Sequence, residues 1–231
     1  MSQQDEEFNW RQSLERLGQA ALDLMTSLGA RASDEPGHAA TGTLITESRD
    51  VSGFTQIKLL GVGTLNITQT GTESLTISAE EDVLPLLTSE VVDGTLELGV
   101  KPRLPLKSLR RVTYTVTVKS LQGVQLSGAG TVHIVDLQTP SLSVAISGAG
   151  DVNVSGGAHA QTVKISGAGN YNAKALQSEA ADVTITGAGN ARINASQSLN
   201  VKMSGAGVIT YYGAPQLSQR VTGIGSVKRG E

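Results

Sequence analysis

A tetrapeptide of the form Ser/Thr-Gly-Ala-Gly recurs through the second half of this chain, and its spacing limits the fold more than any other feature. It occupies residues 127–130, 147–150, 166–169, 186–189, 204–207 and, as Thr-Gly-Ile-Gly, 222–225. The first glycines are 20, 19, 20, 18 and 18 positions apart. A fixed period near twenty marks a solenoid, in which each repeat is one coil stacked on the last.

Aligning the copies on the first glycine gives columns. Four positions before it stand Val124, Val144, Val163, Val183, Val201 and Gln219, and two before it Leu126, Ile146, Ile165, Ile185, Met203 and Val221. The column between them is mostly polar: Gln125, Ala145, Lys164, Thr184, Lys202 and Arg220. Period-two alternation rich in β-branched residues makes each approach a half-buried strand. Four positions after the first glycine the chain is apolar again, at Val132, Val152, Tyr171, Ala191, Ile209 and Val227. The next column, His133, Asn153, Asn172, Arg192, Thr210 and Lys228, is polar. A second short strand therefore leaves the motif. Glycines this frequent would cost roughly 1 kcal/mol each inside a helix, whereas a parallel β-helix places like residues about 4.8 Å apart along its axis. Gly-Ala-Gly then reads as a corner needing positive φ or close backbone approach.

Residues 57–67 match the same template with Leu60 in the hydroxyl column, and their first glycine, Gly61, precedes Gly128 by 67 positions. That interval holds three coils, or fewer with an insertion. Within it, residues 74–78 and 112–118 read as strands, 81–87 as a helical turn, and Asp93-Gly94 as a hairpin turn.

The N-terminal residues are of another kind. Trp10, Leu14, Leu17, Ala21, Leu24 and Leu28 form one apolar stripe at helical spacing, which predicts an amphipathic helix over residues 1–32 and a linker over 33–43. Such a helix would cover the open end of the solenoid, or form a short coiled coil or partner-docking element. It does not read as a secretory leader, since its start is acidic and Asp23 interrupts the apolar residues. No run approaches the roughly 20 apolar residues needed to span a membrane.

Opening residues Val51-Ser52-Gly53-Phe54, then Gly61-Val62-Gly63-Thr64-Leu65 and Asp93-Gly94-Thr95-Leu96, followed by the repeated Ser-Gly-Ala-Gly, resemble the head GIN domain family. That bacterial family is described as putative auto-transporter adhesin and has no assigned function. The resemblance covers residues 44–231. It implies an all-β fold, a single-stranded right-handed parallel β-helix of about 18–20 residues per coil, on secreted or lipid-anchored envelope proteins. It supplies no catalytic residues.

The residues themselves point away from several chemistries. With no cysteine there is no thiolate nucleophile and no Cys-type zinc site. Net charge is −3, and residues 1–40 carry seven acids against three bases, so neither a nucleic-acid footprint nor a polybasic membrane patch follows. No copy has the third glycine of a dinucleotide fingerprint. Where calcium β-rolls place a carboxylate, this chain has Val132, Val152, Tyr171, Ala191, Ile209 and Val227. Asp136, Asp151 and Asp182 fall at different phases of the repeat, as do His133 and His159. Catalytic, cofactor and metal sites are therefore not assigned.

The strongest candidate for binding is the hydroxyl column Ser127, Ser147, Ser166, Thr186, Ser204 and Thr222, flanked by Asn170 and Asn190. Local bonding of these hydroxyls to the corner backbone is one reading. The other is a regular strip suited to a repetitive partner such as a glycan, a cell-wall polymer or ice. The expectation is a non-enzymatic envelope scaffold or adhesin-like module. The alternatives are a lyase or glycosidase on the same fold, or a structural protein that self-associates through its solenoid ends.

Overall fold

The structure is a computed structural model and describes residues 43–101 and 111–231, which belong to the compact unit Gly42–Glu231. The expected helix over residues 1–32, and the linker as far as residue 42, lie outside the described residues.

Along the chain, β1 (Leu44–Arg49), β2 (Gln56–Leu59), β3 (Val62–Gln69) and β4 (Ser74–Glu80) precede a 3-10 turn at Leu84–Leu86. Then come β5 (Leu87–Val92), β6 (Thr95–Val100), β7 (Thr113–Val118) and β8 (Gly123–Leu126). The repeats form β9 (Ala129–Ile146), β10 (Ala149–Ile165), β11 (Ala168–Ile185), β12 (Ala188–Asn194), β13 (Ser198–Met203), β14 (Ala206–Tyr212), β15 (Gln216–Val221) and β16 (Ile224–Arg229).

These strands wind as a parallel β-solenoid, and the columns of the repeat are its register. On the side entering the corner, Val124 pairs with Val144, Val144 with Val163, Val163 with Val183, and Val183 with Val201. On the side leaving it, Ala129, Ala149, Ala168, Ala188 and Ala206 pair in succession. A strand was expected on each side of the corner. The leaving strand in fact continues through a further bend to the next corner, so β9, β10 and β11 each run 17 or 18 residues. That bend is a bulge: β10 slips one residue against β9 between Val154 and Gly156, and Asp136 and Gly156 take positive φ there.

The core is a set of aliphatic ladders inside the windings. Leu98, Leu59, Leu126, Ile146, Ile165, Ile185 and Met203 form one, and all are buried. Tyr171 stacks between Val152 and Ala191, so a large ring follows a medium side chain and precedes a small one. Its hydroxyl donates to Gln161 Oε1 at 3.0 Å. Gln161 Nε2 donates in turn to Ser178 Oγ at 2.7 Å and Asn194 O at 3.2 Å. This buried polar crossing is satisfied, as most interior polar groups are.

Close approach, and not left-handed φ, accounts for the first glycine of each motif. A Cβ on Gly167 would overlap the carbonyl oxygen of Gly148 and stand 2.5 Å from Ser147 O; on Gly187 it would overlap Gly167 O. No side chain fits where one winding rests on the next.

The upstream copy stacks directly beneath the first Ser-Gly-Ala-Gly coil, Leu59 on Leu126 and Gly63 on Gly130. The intervening residues are thus an insertion, which forms a winding on the opposite flank: β6 pairs in parallel with β2, and β7 with β3. The helical turn, the strand near 112–118 and the Asp93-Gly94 hairpin (β5 with β6) all lie within it, as their sequences predict. Antiparallel β5, β4 and β1 close this end. Arg49 clamps the closure, donating to Leu87 O at 2.8 Å, Leu84 O at 3.1 Å and Ser89 Oγ at 3.2 Å. At the other end, among the described residues, β15 and β16 have solenoid neighbours on one side only, and Ile224 is 88% exposed.

Candidate functional site

Each hydroxyl of the candidate strip is placed by the glycine that follows it. With the backbone pressed against the coil below, the residue before the glycine must turn outward. Ser147, Ser166, Thr186, Ser204 and Thr222 are exposed and Ser127 is half-buried. Two residues on, Ala129, Ala149, Ala168, Ala188 and Ala206 are exposed as well. The result is a double file of hydroxyls and methyls, stepping about 4.8 Å per coil.

The hydroxyls are largely uncommitted. Within the column, and among the described residues, only Thr222 Oγ1 donates to a backbone carbonyl, Met203 O at 3.5 Å; Ser147 Oγ donates to Ser127 Oγ at 3.3 Å, and Ser127 Oγ accepts from Gln125 Nε2 at 3.0 Å. The local backbone bonding expected at the corner is therefore not how most of the column is used. The corner amides already have carbonyl partners on the coil below, with Gly167 N and Ser166 N both donating to Ile146 O and Ala168 N to Gly148 O. A shallow channel of about 300 Å³ runs beside the column, edged by Ala145, Ser147, Lys164, Ser166, Thr184 and Thr186.

Asn170 and Asn190 stand in the adjoining file and bond to one another. Asn190 Nδ2 donates to Asn170 Oδ1 at 2.9 Å, Asn170 Nδ2 donates to Asp151 Oδ1 at 2.7 Å, and Val208 N donates to Asn190 Oδ1 at 3.0 Å. This ladder uses one N–H and the oxygen of each amide and leaves the second N–H of each outside it.

The acids and histidines do not converge. Asp151 belongs to the asparagine ladder, and Asp182 accepts from Asn200 Nδ2 at 3.0 Å on the entering side. Asp136 sits at the bulge. His159 Nδ1 lies 3.1 Å from Glu179 Oε1, both exposed. Among the described residues no three His, Asp or Glu side chains gather as metal ligands, and no helix is long and apolar enough to cross a membrane.

A larger groove lies elsewhere, along the second bend, with a volume of about 760 Å³. Its walls come from the column His133, Asn153, Asn172 and Arg192, together with Lys174 and Tyr212. Sequence columns place the first four on one outward file. The bend that hollows the surface beside them is not legible, because its residues share no motif.

Comparison with known proteins agrees with this architecture. A family model described as putative auto-transporter adhesin, head GIN domain, matches residues 53–215. The crystal structure of a putative adhesin from Bacteroides fragilis NCTC 9343 is similar, with TM-score 0.67 and 28% identity, over 81% of this chain and 97% of that one. A putative lipid binding protein from Parabacteroides distasonis ATCC 8503 shares the fold, with TM-score 0.53 and 20% identity over 83% and 98% of the two chains. No curated protein matches the chain.

Proposed function

The chain belongs to the head GIN domain family of putative auto-transporter adhesins, and from that membership we propose that it is a non-enzymatic, adhesin-like binding module or scaffold of the bacterial cell envelope or exterior. We take its winding as right-handed, the hand that parallel crossover connections adopt. The hydroxyl file is the contact surface in this reading, formed by Ser127, Ser147, Ser166, Thr186 and Ser204 with Asn170 and Asn190 beside it.

One observation carries it: these hydroxyls are outward-facing, in register, and mostly without bonds to the corner backbone. Donors and acceptors repeating every coil match a partner that repeats too, such as a glycan or other cell-surface polymer. Interleaved methyls add apolar contact at small entropic cost, because alanine has no rotamers to lose.

The test replaces Ser147 and Ser166 together with alanine, and measures sedimentation with insoluble chitin, cellulose and peptidoglycan alongside Tm. Retention lost at an unchanged Tm supports the strip. A drop in Tm means the hydroxyls are structural, and retention equal to the parent removes them from the interface. Release of reducing ends at a catalytic rate would replace the binding reading with an enzymatic one.

The exposed end formed by β15 and β16 favours a second property, self-association. Edge strands with unpaired N–H and C=O groups are templates for another chain, and two copies could pair tail to tail through this edge. Light scattering tests it: a strictly monomeric species at high concentration overturns it.

A further inference from the structure

We propose that the groove along the second bend binds an acidic linear glycan, one carrying carboxylates on a hydroxyl-rich chain. This site lies on a different file of the solenoid from the hydroxyl strip and stands or falls without it.

The groove crosses successive windings, from His133 through Asn153, Asn172 and Arg192, to the winding of Tyr212, which stands two residues beyond Thr210, the register partner of Arg192. Those four steps, at about 4.8 Å each, make a trough roughly 19 Å long that is parallel to the solenoid axis. A linear polymer lying in it would meet an equivalent position on each winding, at a spacing close to one sugar ring.

Charge selects the ligand. Lys174 and Arg192 line the trough, no carboxylate does, and among the described residues neither cation pairs with an acid. In a protein of net charge −3 this is a local excess of the opposite sign. Lys174 is also held in place: its Nζ lies 4.5 Å from the centre of the Tyr212 ring, a cation–π contact that reaches across the Arg192 winding. A positioned ammonium and a guanidinium with its fork of donors suit carboxylates spaced along a chain.

Hydrogen bonding points the same way. Asn172 Nδ2 donates to Asn153 Oδ1 at 3.3 Å, and the Oδ1 of the same amide is directed away from that bond. That oxygen is buried and has no hydrogen-bond partner among the described residues. Leaving a buried acceptor unmet is unfavourable, and Arg192 swung inward as a carboxylate binds would satisfy it. Val135, 41% exposed at the groove, offers an apolar patch to the C–H face of a sugar. An acidic peptide fits less well, because the strands lining the groove are paired on both flanks and offer no edge for backbone pairing.

The probe is a galacturonate oligomer spanning the trough, titrated calorimetrically into the full chain, with its fully methyl-esterified form as the neutral counterpart. The acid form is expected to bind, at least about tenfold more tightly than the ester, which corresponds to about 1.4 kcal/mol. Added salt should weaken it. Lys174→Gln combined with Arg192→Gln, which keeps much of each side chain's length, is expected to lower affinity at least about tenfold at an unchanged Tm. A control that removes two charges away from the groove, Lys58→Ala with Lys101→Ala, is expected to bind like the parent. Equal affinity for acid and ester overturns the proposal, as does parental binding by the Lys174/Arg192 variant. Binding of inorganic polyphosphate without the galacturonate oligomer overturns the glycan assignment.

Discussion

Replacing Gly167 with alanine tests the stacking directly, because it adds one methyl group at the tightest point between two windings. The new Cβ would overlap Gly148 O and approach Ser147 O to 2.5 Å and Ser147 C to 2.7 Å. All of these are backbone atoms, so no rotamer change relieves the overlap. The coils must part locally, stretching the bonds from Gly167 N to Ile146 O, now 3.2 Å, and from Ala168 N to Gly148 O, now 3.0 Å. Overpacking of this kind costs about 1–3 kcal/mol, and two weakened backbone bonds add about 1 kcal/mol each. The expected loss is therefore about 3–5 kcal/mol, read from the midpoint of urea unfolding at constant m. Gly223→Ala creates the same overlap, with Gly205 O, but among the described residues its winding has no neighbour on its far side, so it can lift away. It should fray the last coil and leave the global transition nearly in place. If Gly167→Ala destabilised by less than about 1 kcal/mol, or cost no more than Gly223→Ala, close approach would not be the reason for glycine in this column.

Ile185, buried between Ile165 and Met203 in one ladder, should lose about 2–5 kcal/mol on truncation to alanine, measured by the same unfolding. Glu73 accepts from Lys119 Nζ at 3.0 Å and Gly53 N at 3.3 Å, and these bonds, the lysine's first, hold its carboxyl below the ordinary 4.5. Its contribution is present above 4.5 and is lost as pH falls through the depressed pKa, so Glu73→Gln should flatten that part of the acid limb of a Tm–pH profile. Burial pushes the Tyr114 phenol up to about 12, and pushes Tyr171 up too. At pH 10, where an ordinary phenol is half ionised, neither should contribute phenolate absorbance, and stability should fall as pH climbs from 10 toward 12.

Much of the fold was legible because one motif fixed the register. Once Gly128, Gly148 and Gly167 were aligned, the inward and outward files followed from period-two alternation, and the pairing of Val144 with Val163 or of Ala149 with Ala168 is that alignment made physical. The upstream copy was legible for the same reason. The placement of β6 and β7 was not, since neither carries a glycine corner to mark the winding it joins. The hydroxyl file could be read as a column, but its freedom from backbone bonds could not. That depends on Ile146 O and its equivalents already serving the corner amides. The trough beside Arg192 needed the bulge at Asp136 and Gly156, two dissimilar residues in different coils whose shared role is conformational. No side-chain pattern announces it.

The insertion between β3 and β8 makes the order of synthesis differ from the order in space. Residues 56–69 emerge early, yet gain one flank only when 95–118 arrive and the other when 123–134 do. Folding seeded on these strands would spread outward in two directions, slowly on the side of long sequence separation and step by step on the other. Evolutionary change in length is channelled in the same way. Duplicating or deleting a twenty-residue unit among the later coils leaves the Arg49 clamp untouched, so reach along the axis can be adjusted without rebuilding the foundation.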